Sequence, residues 1–121
     1  MAAKGKISKI PPEILKLYED LLATHPEISR KGDVHPYTSL NGHMFTYLSQ
    51  EGELGIRLSK EEIEKFAAKY KSKPFIQYGT VMKEYVNVPP ELLNDTEELK
   101  QYLALSYDYI KTLKPKPTKK G

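Results

Sequence analysis

Histidines, carboxylates and serines are the side chains here that could carry catalysis or bind metal. Their spacing decides whether they can act together. His35 and His43 flank a tight turn, with Asp33 just before His35. A transition-metal site wants three or four converging ligands. His43 lies beside the turn and His35 precedes a proline, so both read as surface histidines on loops and no metal site is expected. The pairs Glu61-Glu62 and Glu97-Glu98 fall at helix starts, where the helix dipole stabilises negative charge, and that accounts for them without acid–base work. No Gly-x-Ser-x-Gly elbow accompanies the serines, and the seven glycines are scattered singly at turns, not gathered in a phosphate loop. The absence of cysteine excludes disulfides, thiol catalysis and cysteine-based zinc sites. No catalytic residue, metal ligand or cofactor is expected, and the chain reads as a non-enzyme.

Nine tyrosines against three phenylalanines point to recognition. Tyr18, Tyr70, Tyr102 and Tyr107 fall on apolar helix faces, where a tyrosine at the margin covers its ring and keeps its hydroxyl wet. Tyr78, Tyr85 and Tyr109 are not accounted for in that way. Because tyrosine and arginine most often anchor interfaces, Arg57, Lys83, Tyr85, Tyr78 and His43 form the candidate partner-binding surface. The plainer alternative is a solvated sheet face with ordinary cross-strand pairs. Lys69-Tyr70-Lys71-Ser72-Lys73 interleaves an aromatic with basic residues, but lysines at a helix end are favoured by its negative pole.

The elements that must position these residues centre on Tyr37 to Glu62. Asn41-Gly42 is a strong hairpin signal, since a type I′ turn needs positive φ at both central residues. It joins Tyr37-Thr38-Ser39-Leu40 to Met44-Phe45-Thr46-Tyr47-Leu48. After a turn at Gln50-Glu51-Gly52-Glu53, Leu54, Ile56 and Leu58 alternate with Gly55 and Arg57, which buries one face and points Arg57 away. Ser59-Lys60-Glu61-Glu62 has the form of a capping box, and Ile63, Phe66, Ala67 and Tyr70 follow at helical spacing. Upstream, Pro11-Pro12 opens a helix striped by Ile14, Leu17, Tyr18, Leu21 and Leu22, which His25-Pro26 ends. A short irregular strand is read around Val34 to Tyr37. Downstream, Phe75-Ile76-Gln77-Tyr78 reads as a fourth strand, Gly79-Thr80 as a loop start, and Glu84-Tyr85-Val86-Asn87-Val88 as a fifth. Pro90 to Leu93 reads as one helical turn. Asp95 or Thr96 caps a last helix whose face runs from Leu99 through Tyr107 to Leu113. The expectation is an α+β fold in two layers, an antiparallel five-stranded sheet with helices packed on it, ordered α-β-β-β-α-β-β-α.

Charge divides the chain further. Residues 1–9 carry three lysines and residues 114–121 four, neither with an acid, while residues 10–113 balance at −4. The chain therefore reads as a basic N-terminus (1–9), one folded domain (10–113) and a Lys/Pro tail (114–121) that prolines keep extended. An acidic body is a poor nucleic-acid groove, so at most weak, non-specific nucleic-acid binding through the ends is expected. No run is long and apolar enough to span a bilayer and no secretory pattern is visible, so a cytoplasmic protein without a membrane partner is expected.

Taken together, Tyr37-Thr38-Ser39-Leu40-Asn41-Gly42-His43-Met44-Phe45, Arg57-Leu58, Lys83-Glu84-Tyr85-Val86-Asn87-Val88-Pro89 and the closing Lys114-Pro115-Lys116-Pro117-Thr118 resemble the TfoX/Sxy N-terminal domain family in its short stand-alone form. The likeness spans about residues 12 to 113. It implies a two-layer α+β fold with an antiparallel sheet, similar to that of secretion-chaperone-like proteins, and a possible tie to competence regulation. Two function classes follow. One is a small regulatory or interaction module that binds a protein partner or itself as a homodimer. The other is a nucleic-acid-associated accessory protein that uses its basic ends.

Overall fold

The computed structural model describes residues 10–31, 36–77 and 79–114. Helix α1 (Pro12–Ala23) starts behind Pro11, whose carbonyl accepts from the amides of Ile14 and Leu15. Strands β1 (Tyr37–Leu40), β2 (His43–Leu48) and β3 (Leu54–Arg57) form the expected meander. Asn41 and Gly42 take φ of 55° and 84°, the two positive angles a type I′ turn demands. Helix α2 (Lys60–Tyr70) begins at Ser59, whose hydroxyl accepts from the Glu62 amide. Strands β4 (Pro74–Gln77) and β5 (Thr80–Val88) form a second hairpin, then α3 (Pro90–Leu93) and α4 (Thr96–Thr112) close the chain, the last capped by Asp95.

The sheet is antiparallel with strand order β1-β2-β3-β5-β4. It is not limited to the five strands expected. Lys31 bridges to Tyr37 through two backbone hydrogen bonds, adding a sixth segment beside β1. That segment is too short to show a strand pattern, so periodicity missed it. Among the described residues the helices number four, because Pro90–Leu93 is a helix of its own. The fifth strand begins at Thr80, four residues before the expected Glu84, where a loop was read instead. Exposed Val81 hides the alternation there. Most of the expected irregular strand near Val34 lies outside the described residues.

The main core lies between one sheet face and the helices, built from Leu54, Ile56, Leu58, Phe66, Leu99, Leu103 and Ile110 among others. Tyr18 departs from expectation: it is wholly buried, not marginal. Its hydroxyl pairs with Thr46 Oγ1 at 2.7 Å, and Thr46 pairs with Thr38 Oγ1 at 2.7 Å. Burial pushes the Tyr18 hydroxyl well above its ordinary pKa. The chain of hydroxyls ties α1 to β2 and β1 inside an apolar layer, where an unpaired polar group would be costly.

Candidate functional site

The candidate site is the sheet face turned away from the helices. In β3, Leu54 and Ile56 enter the main core, so alternation sends Gly55 to the opposite face and Arg57 to its rim. Across the ladder Gly55 faces Tyr47 on one side and Asn87 on the other, while Arg57 faces Tyr85. Phe75 reaches in from β4, crosses β5, and covers Gly55 so closely that an added Cβ would lie 2.4 Å from its ring. Phe75 is completely buried yet stands apart from the main core. Tyr85 stacks on it with centroids 6.1 Å apart, and Tyr47 meets it edge-on at 6.3 Å. The result is a second, smaller apolar layer on the far face.

Two irregularities shape this layer. In β2, Thr46 pairs with Thr38 and Met44 with Ser39, leaving Phe45 as an extra residue. Such a bulge turns Phe45 inward beside Thr46, where its ring meets Tyr107 at 6.0 Å, centroid to centroid. In β5, Glu84 adopts φ of 71°, a left-handed angle that costs a non-glycine residue about 1 kcal/mol or more. It falls where the β4–β5 register shifts, between the Pro74–Val86 and Ile76–Val81 pairs, while β5 pairs with β3 from Tyr85 to Val88.

The expected surface residues divide. Arg57 and Tyr85 come together. Arg57 is 22% exposed and donates to Glu84 Oε1 at 2.7 Å through Nε, with Nη2 also 2.7 Å from that oxygen. The Tyr109 ring centroid lies 6.0 Å from its guanidinium carbon. Tyr85 donates its hydroxyl to the Met44 carbonyl at 2.7 Å. Burial pushes it up to about 12, against the opposing pull of Arg57. His43 stands at the turn end of β2 and is occupied there: its Nε2 donates to the Lys114 carbonyl at 2.8 Å. Lys83 lies on β5 with its side chain outside the described set, and Tyr78 is outside it altogether. Arg57 and Tyr85 are thus bound into the fold more than the alternation implied.

Sequence reasoning missed four contributors. In the sequence Phe75 reads as an ordinary strand residue, and Glu84 gives no sign of its positive φ. Ile76 and Val81 are large apolar residues that face each other in the β4–β5 register, 48% and 53% exposed. One signal was available: glycine between two buried strand residues often marks a close approach, and Gly55 is such a glycine. Chemically, the face offers a neutralised cation and a phenol held protonated, and the β4–β5 hairpin next to it adds a pair of exposed apolar side chains. That combination suits recognition by contact. Among the described residues no three histidine, aspartate or glutamate side chains converge on a point, though Asp33 and His35 lie outside that set.

The family model for the TfoX N-terminal domain matches residues 37–110. The chain belongs to the TfoX N-terminal domain family. The match begins with β1 and ends in the last turns of α4, so it includes the whole far face and leaves α1 outside, narrower than the span read from the motifs. No curated protein matches the chain. Among the described residues no helix is long and apolar enough to cross a membrane.

Proposed function

We infer that this TfoX N-terminal domain protein is a non-enzymatic, cytoplasmic interaction module that binds a protein partner or itself through the β4–β5 hairpin and the adjoining far face. The observation that carries this reading is the Ile76–Val81 pair. Two large apolar side chains stand opposite each other, each about half exposed, on the hairpin that ends the sheet. Exposed apolar pairs on edge strands are a liability unless a partner covers them. Arg57 and Tyr85, on the neighbouring part of the sheet, supply the residue types that anchor interfaces. The family membership supports a regulatory role of the competence-related kind.

The test is capture from cell lysate with nuclease, comparing the natural chain with an Ile76→Asp/Val81→Asp variant. The natural chain retains a discrete protein that the variant loses, while both melt at similar temperatures. Equal capture by both contradicts the hairpin reading. Binding that disappears with nuclease favours the accessory role in which the basic ends hold nucleic acid.

A further inference from the structure

A groove of about 660 Å³ lies between the start of α1, the β2–β3 turn, the α2–β4 link and the junction of β5 with α3. Ile14, Pro89 and Leu93 give it apolar lining. Four exposed glutamates, Glu13, Glu51, Glu53 and Glu91, line it together with only two lysines, Lys71 and Lys73, a net charge of −2. None of these six side chains has a hydrogen bond or ion pair among the described residues, whereas six acidic residues elsewhere are in ion pairs. A groove with apolar lining and surplus negative charge suits a cationic segment whose shape is set in advance.

The chain carries such a segment. Residues 114–121 read Lys-Pro-Lys-Pro-Thr-Lys-Lys-Gly, with four lysines and no acid. Proline fixes φ, so an extended stretch of this kind loses little entropy when it docks in a groove lined by prolines and an aromatic. Pro11, Pro90 and Tyr70 line this one.

The tail starts at the wrong end of the molecule to use its own groove. Lys114 is held by His43, beside the Asn41-Gly42 turn, whereas the groove opens at the other end of β2. At about 3.3 Å per residue the six-residue β2 separates these ends by about 17 Å. An extended proline-type chain advances about 3.1 Å per residue, so Lys116 reaches only about 6 Å beyond Lys114; Lys119 and Lys120, about 16 and 19 Å out, come level with the groove's mouth, but the Lys-Pro-Lys-Pro stretch itself cannot lie in it. A tail from another molecule has no such tether. We propose that the groove receives the Lys-Pro-Lys-Pro tail of a second copy of this chain, Lys116, Lys119 and Lys120 lying against Glu13, Glu51, Glu53 and Glu91. In a two-fold dimer each copy gives a tail and receives one.

Sedimentation equilibrium of the full chain over a range of concentration and salt tests this. The natural protein shifts toward dimer as concentration rises, and salt weakens the shift. Glu51→Lys/Glu53→Lys raises the dimer dissociation constant at least about tenfold, and so does Lys116→Glu/Lys119→Glu. Combining all four substitutions restores association to within about threefold of natural, because the charges are exchanged and not lost. A second reading uses a labelled peptide of residues 113–121 added to the full chain: its anisotropy rises, and a scrambled peptide of equal charge binds at least about tenfold more weakly. A monomer at every concentration, an unchanged dimer in either charge-reversed variant, no recovery on combination, or equal binding of the scrambled peptide overturns the proposal. Dimerisation lost through Ile76→Asp/Val81→Asp but kept in Glu51→Lys/Glu53→Lys also overturns it, while leaving the hairpin reading intact.

Discussion

A Cβ added at Gly55 would lie 2.4, 2.6 and 2.7 Å from three atoms of the Phe75 ring. Real side-chain carbons do not approach so closely, so the ring or the strand would have to move. Overpacking of this kind costs about 1–3 kcal/mol. Gly55→Ala is therefore expected to lower the urea midpoint clearly, although alanine is the smallest change available at the site. A midpoint equal to that of the natural protein would show that Phe75 does not rest on β3. The same residue shows how far sequence could see. Its place in a buried strand was legible from Leu54, Ile56 and Leu58. The ring that needs it is twenty residues on and reaches it only because β4 pairs with β5 and β5 with β3. The partners of Arg57 were hidden for a related reason: alternation gave its direction, but Glu84 and Tyr109 come from elements whose approach no local pattern encodes.

Elements whose ends carry their own chemistry were read well. The Ser59 and Asp95 caps, the Pro12 helix start and the Asn41-Gly42 turn each depend on a few adjacent residues, and the structure has all four. The turn invites a direct check. Gly42 sits at φ of 84°, which a β-branched residue resists, so Gly42→Val should destabilise by more than about 1 kcal/mol. A thermal melt with an unchanged midpoint would remove the turn assignment. Elements that bend or pair across distance were read less well. The Phe45 bulge, the long β5 and the Lys31 bridge all break the period that a strand pattern relies on. Of these, β5 carries Tyr85 and Asn87 on the far face and turns at Glu84, so the candidate site was the least legible part of the fold.

At the scale of the whole molecule, α2 and α4 are joined by a charged cluster. Glu98 on α4 accepts from Lys69 at 2.8 Å and from the Tyr70 hydroxyl at 2.6 Å. The hydrogen bond from Lys69, then that from Tyr70, holds the Glu98 carboxyl below its ordinary range. A depressed native pKa means that the unfolded chain binds the proton more readily. The stabilisation is complete above the ordinary carboxylate value of 4.5 and fades as pH falls through the lower native value. Glu98→Gln should therefore melt below the natural protein near neutral pH, with the gap closing as pH drops under about 4. A gap of constant size across that range would show that Glu98 does not contribute through its charge.

The claim on which the functional account turns is that the β4–β5 hairpin meets a partner. Photo-crosslinking in the cell tests it most directly, with a photoreactive residue placed at position 76 or 81, and at position 64 on exposed α2 as the control. The account predicts a discrete protein adduct from 76 and 81 and none from 64. Adducts equal at all three positions, or none at 76 and 81, would contradict it.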